Sequence, residues 1–132
     1  MTGLAAAATR EVEELHRHFV SLFTGRSQDI ERCAKAFAAD FQMVTPAGQV
    51  FDRAGALAVL SAATAQPGFA ITIQAIHPVW QSKDSVLLQY VEQQYRDGRT
   101  TRRLSSALFT AEPTAPCGVV WRYLQETWLQ ET

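Results

Sequence analysis

The sequence has few of the residues that build metal centres or covalent cross-links. Its 132 residues include two cysteines and three histidines. Cys33 and Cys117 show no CxxC and no Cys/His spacing, which argues against a zinc site and leaves two free thiols as the expectation. We therefore expect neither a metal nor a cofactor.

Charge imbalance and long apolar runs are missing as well. Twelve basic and thirteen acidic residues give a formal net charge of -1, so nothing attracts the chain to nucleic acid or to an anionic membrane. No stretch approaches the length of a membrane span, and the alanine-rich residues 1–8 have no basic flank ahead of them. These features predict a cytoplasmic protein that binds neither nucleic acid nor membrane.

What the sequence does contain is an ordinary globular composition, with 47% hydrophobic and 19% charged residues. A chain of this length fits one domain, residues 1–132, and buries roughly two-thirds of its unfolded surface. Residues 1–8 are expected either to be disordered or to extend the first helix.

Apolar residues at helical spacing predict three helices in the first half of the chain. The first begins behind Thr9 as N-cap and ends at Gly25. The second follows residues 30–37, and the third begins after Asp52 as its N-cap. A small hairpin between the second and third helices is predicted from two weakly alternating segments, 41–44 and 49–51.

From residue 69 the hydrophobic period changes from helical to twofold, which predicts strands. Asp97-Gly98 is a strong hairpin signal between two of them. Helices followed by consecutive antiparallel hairpins are typical of an α+β fold, in which the helices cover one face of a bent sheet. The predicted strands are 69–76, 79–81, 85–96, 100–111 and 119–129.

Several short segments, in this order and spacing, resemble the NTF2-like superfamily, near its SnoaL-like and steroid-isomerase-like members and a group of unknown function. The segments are 37–41 followed by 43–48, then 90–92, 103–109, and Trp121 with 126–129. The resemblance implies a cone-shaped α+β fold in which three N-terminal helices pack in a strongly curved antiparallel sheet. It also implies an internal cavity open at one end and a homodimer formed through the outer sheet face.

The last strand supplies the first candidate site residues. Strict alternation places Trp121, Tyr123, Gln125 and Thr127 on one face, and Arg122, Leu124, Glu126 and Trp128 on the other. Similar chains carry two alternating histidines where this one has Tyr123 and Gln125. Tyrosine can donate a hydrogen bond to a developing oxyanion, but neither side chain is a good general base at neutral pH.

Glu92 is the best single catalytic candidate as a base, with Tyr123 or Tyr90 as the hydrogen-bond donor to an enolate-like oxygen of the substrate. A carboxylate desolvated among aromatic side chains has a raised pKa that suits a general base. That role requires Glu92 to lie in the cavity, near a tyrosine and away from arginine. The structural alternative is a cross-strand ion pair with Arg103 or Arg102. Asp40 is a second acidic candidate, although a cap or turn role suits it better.

The histidines do not form a metal site. His16 and His18 are two residues apart on a helix and point to different faces, so they are expected to be surface or partly buried residues. His77 precedes a proline at a bend, where a structural hydrogen bond is the common use. The predicted ligand-binding residues are Trp80, Tyr90, Arg103, Trp121, Gln125 and Thr127, although aromatic strand residues also serve as core or interface packing.

Three functions remain open, because relatives of this fold include enzymes as well as binding and assembly modules. The favoured one is a protein that binds a small, partly apolar molecule in its cavity. The second is an isomerase, cyclase or dehydratase that uses a cavity carboxylate and a tyrosine. The third is an assembly module whose function is dimerisation.

Overall fold

The computed structural model describes residues 3–130 and contains three helices and a six-stranded sheet. The helices are α1 (Gly3–Phe23), α2 (Glu31–Ala36) and α3 (Arg53–Ser61). The strands are β1 (Phe37–Val44), β2 (Val50–Asp52), β3 (Ala70–Gln81), β4 (Ser85–Arg96), β5 (Arg99–Ala111) and β6 (Val119–Trp128). The predicted α+β architecture, with three helices against a long-stranded sheet, is confirmed.

Helix α1 starts earlier than the sequence predicts. Thr9 lies inside it, and its hydroxyl donates back to the carbonyl oxygen of Ala5 at 2.8 Å. The alanines ahead of Thr9 have the highest helix propensity of any residue, so the helix extends to Gly3. Residues 1 and 2 lie outside the described range. Gly25, with φ +76°, ends the helix as predicted, because it adopts the left-handed conformation there.

The predicted N-cap of α3 is confirmed. The Asp52 carboxylate accepts a hydrogen bond from the Gly55 amide at 2.8 Å and satisfies one of the free donors at the helix start. Only Ala56 of this helix is fully buried. Helix α3 is therefore held by its cap and by contacts with β1 and β2.

The sheet order is β2-β1-β6-β5-β4-β3. Strands β3 to β6 form the predicted antiparallel meander, whereas β1 pairs with β6 in parallel, with Phe37 opposite Trp121. This pairing places β6 near the middle of the sheet. No helix among residues 3–130 is long and apolar enough to cross a bilayer.

β-Bulges in β3 and β6 change the faces of these strands. The segments predicted as separate strands, 69–76 and 79–81, form the single strand β3, whose register shifts near Ala75 at φ +55°. In β6 the extra residue is Arg122, because Phe109 lies opposite Trp121 while Leu108 lies opposite Tyr123. A bulge inserts one unpaired residue and reverses the alternation beyond it.

The core lies between α1 and the concave face of the sheet. Helix α1 contributes buried residues three or four positions apart, which form one stripe: Ala5, Ala8, Val12 and Leu15. The sheet contributes inward residues of β4, β5 and β6: Val86, Leu88, Ala107, Phe109 and Trp121. The packed core fills one end of the concave face, and the other end contains a cavity.

Candidate functional site

A cavity of about 320 Å³ opens between the helices and the concave sheet face. Most of its wall is apolar and aromatic, formed by Phe19, Phe23, Phe37, Phe41, Phe51 and Trp121 among others. The polar side chains of the wall come mainly from α1, β4, β5 and β6: His16, Glu92, Gln94, Arg96, Arg103 and Glu126. The cavity thus has an apolar side and a side rich in hydrogen-bonding and charged groups.

His16 and Glu92 form a buried pair at the polar side. His16 Nε2 lies 3.0 Å from Glu92 Oε1, and the imidazole Nδ1 lies 2.7 Å from the carbonyl oxygen of Val12. An imidazole that faces two acceptors is held best as the doubly protonated cation. Gln94 Nε2 donates to the other Glu92 oxygen at 2.6 Å. Both carboxylate oxygens of Glu92 are therefore occupied.

This pairing sets the charge of both groups. Burial disfavours the charged form of each, but the Glu92 carboxylate outweighs it and raises the pKa of His16. For Glu92, burial is likewise outweighed by the charge and hydrogen bond of His16, so the pKa of Glu92 is lowered. Glu92 is therefore ionised at neutral pH, and it is a weak proton acceptor.

The pKa of the Glu126 carboxyl is shifted in the opposite direction to that of Glu92. Burial, together with the nearby Glu92 charge, raises the pKa of Glu126 to about 7. Its closest cation is Arg103, whose Nη1 lies 3.4 and 3.5 Å from the two carboxylate oxygens. Those distances are long for a charge-assisted hydrogen bond, which is roughly 2.7–2.9 Å. Glu126 therefore changes its protonation state near neutral pH.

The side chain of Trp121, which lines the cavity, is held in place by a hydrogen bond to Glu11. Its indole Nε1 donates to Glu11 Oε2 at 2.9 Å, and Arg32 donates to both Glu11 oxygens at 2.8 and 3.2 Å. Glu11 is fully buried. The position of this aromatic wall is set by a buried ion pair that joins α1, α2 and β6.

Beyond the charged groups, the inner sheet face carries two unpaired hydroxyls. Tyr90 and Ser105 are buried and lie opposite each other across β4 and β5. The two hydroxyls do not meet the geometry of a hydrogen bond, and neither oxygen has a partner. Burial and the charges of Glu92 and Glu126 raise the pKa of Tyr90, so its hydroxyl remains a neutral donor. No group of three or more potential ligands within residues 3–130 is arranged to hold a metal ion.

Solved structures of the same architecture identify the fold. An NTF2-like protein of unknown function from Pseudomonas aeruginosa is 28% identical, with a TM-score of 0.86 over 94% of this chain and 99% of that one. The chain belongs to the NTF2-like superfamily. The CaMKII hub of S. rosetta has a TM-score of 0.80 at 13% identity, over 98% of this chain and 99% of the hub chain.

A third similar structure is an NTF2-like protein of unknown function in nutrient uptake from Rhodospirillum rubrum. Its TM-score is 0.66 at 15% identity, over 92% of this chain and 98% of that one. No protein-family model and no curated protein matches the sequence. The comparisons therefore establish the fold of this NTF2-like chain and not its activity.

The NTF2-like cavity brings together some of the predicted site residues. Glu92, Arg103 and Trp121 line it, and Tyr90 lies on the same inner face but deeper. Glu92 and Arg103 are opposite each other in the register, as the cross-strand alternative predicts. The hydrogen bonds of Glu92 nevertheless go to His16 and Gln94, and none of them goes to a tyrosine among residues 3–130. The arrangement required for Glu92 as a base is absent.

The prediction that Tyr123, Gln125 and Thr127 share a face with Trp121 is wrong. The bulge at Arg122 turns these three residues to the outer face, where the Tyr123 hydroxyl donates to Gln125 Oε1 at 2.9 Å. Leu124 and Glu126 take the inward positions instead.

Two other candidates also lie outside the cavity. Trp80, near the end of β3, is 55% exposed. Asp40 lies in β1 rather than in a turn, and it forms an exposed ion pair with Arg122. The bend expected at His77 does contain a structural hydrogen bond, which joins its Nδ1 and the carbonyl oxygen of Ala75 at 2.8 Å.

Sequence reasoning missed two central residues. His16 is only 4% exposed, although a surface or partly buried position was predicted. Its place in the apolar stripe, one residue after Leu15, was the available signal. Glu126 was predicted to lie on the face opposite Trp121, because the alternation of residues along the strand does not reveal the bulge.

Proposed function

We propose that this NTF2-like protein binds a small, mostly apolar molecule with one polar end in its cavity. The observation that supports the proposal is the division of the cavity wall into an aromatic side and a compact polar side. Ligand sites are commonly apolar clefts of roughly 300–1,000 Å³ with a few placed polar groups. A cavity of about 320 Å³ is at the small end of that range.

The wall is already arranged before any molecule enters. The His16–Glu92 pair and the Glu11–Trp121 hydrogen bond hold the side chains that a ligand would contact. Ordering side chains on binding costs roughly 0.5–1.5 kcal/mol each, so a fixed wall favours affinity. The protein therefore offers a preformed site rather than one assembled by the ligand.

Native mass spectrometry of freshly purified protein tests this proposal, followed by thermal-shift screening of apolar acids, ketones and alcohols. We expect a bound small molecule or a stabilising compound, since a ligand that binds only the folded state raises the melting temperature. Val59→Trp should abolish the effect, because Val59 lines the cavity and is 53% exposed, so an indole there fits at the opening. Val50→Trp is the matched control, because Val50 is 63% exposed and lies outside the cavity. Equal loss in both variants, or no ligand in any assay, contradicts the proposal.

A second candidate function is proton transfer to or from a bound carbonyl compound. It is favoured by Glu126, a buried cavity carboxyl whose pKa is raised to about 7, which suits a general acid or base at neutral pH. Proton NMR in heavy water would follow exchange of the α-hydrogens of benzylacetone. Catalysed exchange that disappears in Glu126→Gln supports this candidate, and exchange at the buffer rate excludes it for this substrate.

We also propose that the protein forms a homodimer through the outer sheet face. Outward residues of β4 and β5 form two apolar cross-strand pairs, Leu87 with Leu108 and Val91 with Leu104, on either side of the Gln89–Ser106 pair. One similar structure is named a hub and another a kinase association domain, which agrees with self-association. Sedimentation analysis should give a dimer that Leu108→Glu dissociates, whereas a monomeric wild type contradicts the proposal.

A further inference from the structure

Arg103 is a largely buried cavity cation whose hydrogen-bonding capacity is mostly unused within residues 3–130. Its Nε is buried and has no partner, and its hydrogen bonds within residues 3–130 are the two long ones from Nη1 to Glu126. The guanidinium also lies over the Trp128 ring, with 4.8 Å between its carbon and the ring centroid. A buried guanidinium nitrogen without an acceptor costs stability. An acceptor with two oxygens would satisfy the fork of Arg103.

The other charges of the polar side are already matched or lie at the rim. His16 and Glu92 neutralise each other at 3.0 Å. Arg96 is exposed, and its guanidinium lies over Phe69. The remaining pair is Arg103 with Glu126, and it is weakly joined. An incoming anion can therefore compete with Glu126 for Arg103 without breaking the His16–Glu92 pair.

We propose that the cavity binds a small apolar carboxylic acid, whose carboxylate pairs with Arg103 while Glu126 takes up a proton. The apolar part of the acid lies along the phenylalanine wall. The inference rests on the ligand-binding function proposed above and adds the chemical class of the ligand. Tyr90 and Ser105 occupy the next inward positions beside Glu92 and Arg103, buried beneath the cavity wall.

The proton uptake follows from charge. A second carboxylate on Arg103 repels an ionised Glu126, whereas a protonated Glu126 carries no charge and can donate a hydrogen bond to it. The groups facing Glu126 are His16 from α1, Tyr90 and Glu92 from β4, and Arg103 from β5. Of these, Glu92 stays ionised and Tyr90 stays neutral, and the burial of His16 is outweighed by the Glu92 carboxylate, which raises the pKa of His16.

The test is calorimetry with three probes of one shape: phenylbutyrate, phenylbutyramide and phenylbutanol. Titrations at pH 6 and pH 8, each in two cationic buffers that differ in ionisation enthalpy, measure affinity and the number of protons bound. With a Glu126 pKa of about 7, linkage predicts that phenylbutyrate binds about tenfold more weakly at pH 8 than at pH 6. We expect nearly one proton to be taken up at pH 8 and very little at pH 6. The two neutral probes should bind more weakly than the acid at pH 6 and take up no proton.

Two variants separate the parts of the inference. Glu126→Gln copies the protonated carboxyl, so phenylbutyrate should bind it about tenfold more tightly than wild type at pH 8, with no proton uptake. Any pH dependence left in this variant comes from a group other than Glu126. Arg103→Met keeps the apolar stem and should lose the preference for the acid over the amide.

Each outcome points to a different conclusion. If the amide and the alcohol bind as well as the acid, or the acid binds without proton uptake, the carboxylate inference is overturned and the ligand-binding function stands. If none of the three probes binds, and the screen described above also finds no ligand, both are overturned.

Discussion

Replacing Glu126 by glutamine should stabilise the protein at alkaline pH. The wild-type carboxyl has a pKa of about 7 when folded and 4.5 as its ordinary value. A raised folded pKa means that the folded state holds the proton more tightly than the unfolded state. The stabilisation from this proton is complete below pH 4.5 and is lost as the pH rises through 7. Glutamine keeps the shape of the protonated carboxyl and never ionises.

The size of the effect follows from the same two pKa values. The difference between 7 and 4.5 corresponds to about 3 kcal/mol, at roughly 1.36 kcal/mol for each pKa step. Most of that total, about 2 to 3 kcal/mol, falls between pH 5 and pH 8.5. The free energy of unfolding of Glu126→Gln, relative to wild type, should rise by this amount over that interval.

Urea unfolding followed by tryptophan fluorescence at the two pH values measures this quantity. The comparison uses the change in the mutant-minus-wild-type difference with pH, so any constant effect of the amide cancels. Glu13→Gln, on the exposed face of α1, is the control and should show no such change. If the Glu126→Gln difference is the same at pH 5 and pH 8.5, the carboxyl ionises normally and the reasoning is refuted.

Three further predictions concern the scaffold of the site. Glu11→Ala leaves Arg32 and Trp121 without their acceptor and should cost about 3 to 5 kcal/mol in urea unfolding; a loss under 1 kcal/mol contradicts this. Asp52→Ala removes the α3 cap and should lower the free energy of unfolding by about 1 kcal/mol, and an unchanged midpoint argues against the cap. Ala75→Gly relieves a left-handed backbone conformation and should raise stability by roughly 0.5 to 1 kcal/mol, whereas Ala70→Gly on the same strand should lower it.

Much of the fold is readable from local patterns. Strand β4 was predicted with its observed bounds, and the Asp52 cap and the Gly25 helix end depend only on neighbouring residues. The parallel pairing of β1 with β6 was not predicted. It joins segments about eighty residues apart, and no local sequence pattern specifies which distant segment pairs with the edge of a given strand.

The candidate site was predicted only in part, for a physical reason. Strand faces follow from alternation as long as every residue is paired, and a single bulge at Arg122 reverses the faces beyond it. For this reason Tyr123 lies on the outer face and Glu126 on the inner face, the reverse of the prediction. The protonation of Glu92 also depended on a partner from another element, His16 of α1, which sequence spacing cannot place beside it.

The most direct measurement of the central claim is an NMR titration of the tryptophan indole signals with phenylbutyrate at pH 6. Trp121 lines the cavity and Trp80 is exposed outside it, so one protein contains both the reporter and its control. We predict that the Trp121 indole signal shifts in a saturable way while the Trp80 signal stays in place. A shift confined to Trp80, or no saturable shift of Trp121, would contradict a ligand-binding cavity with this wall.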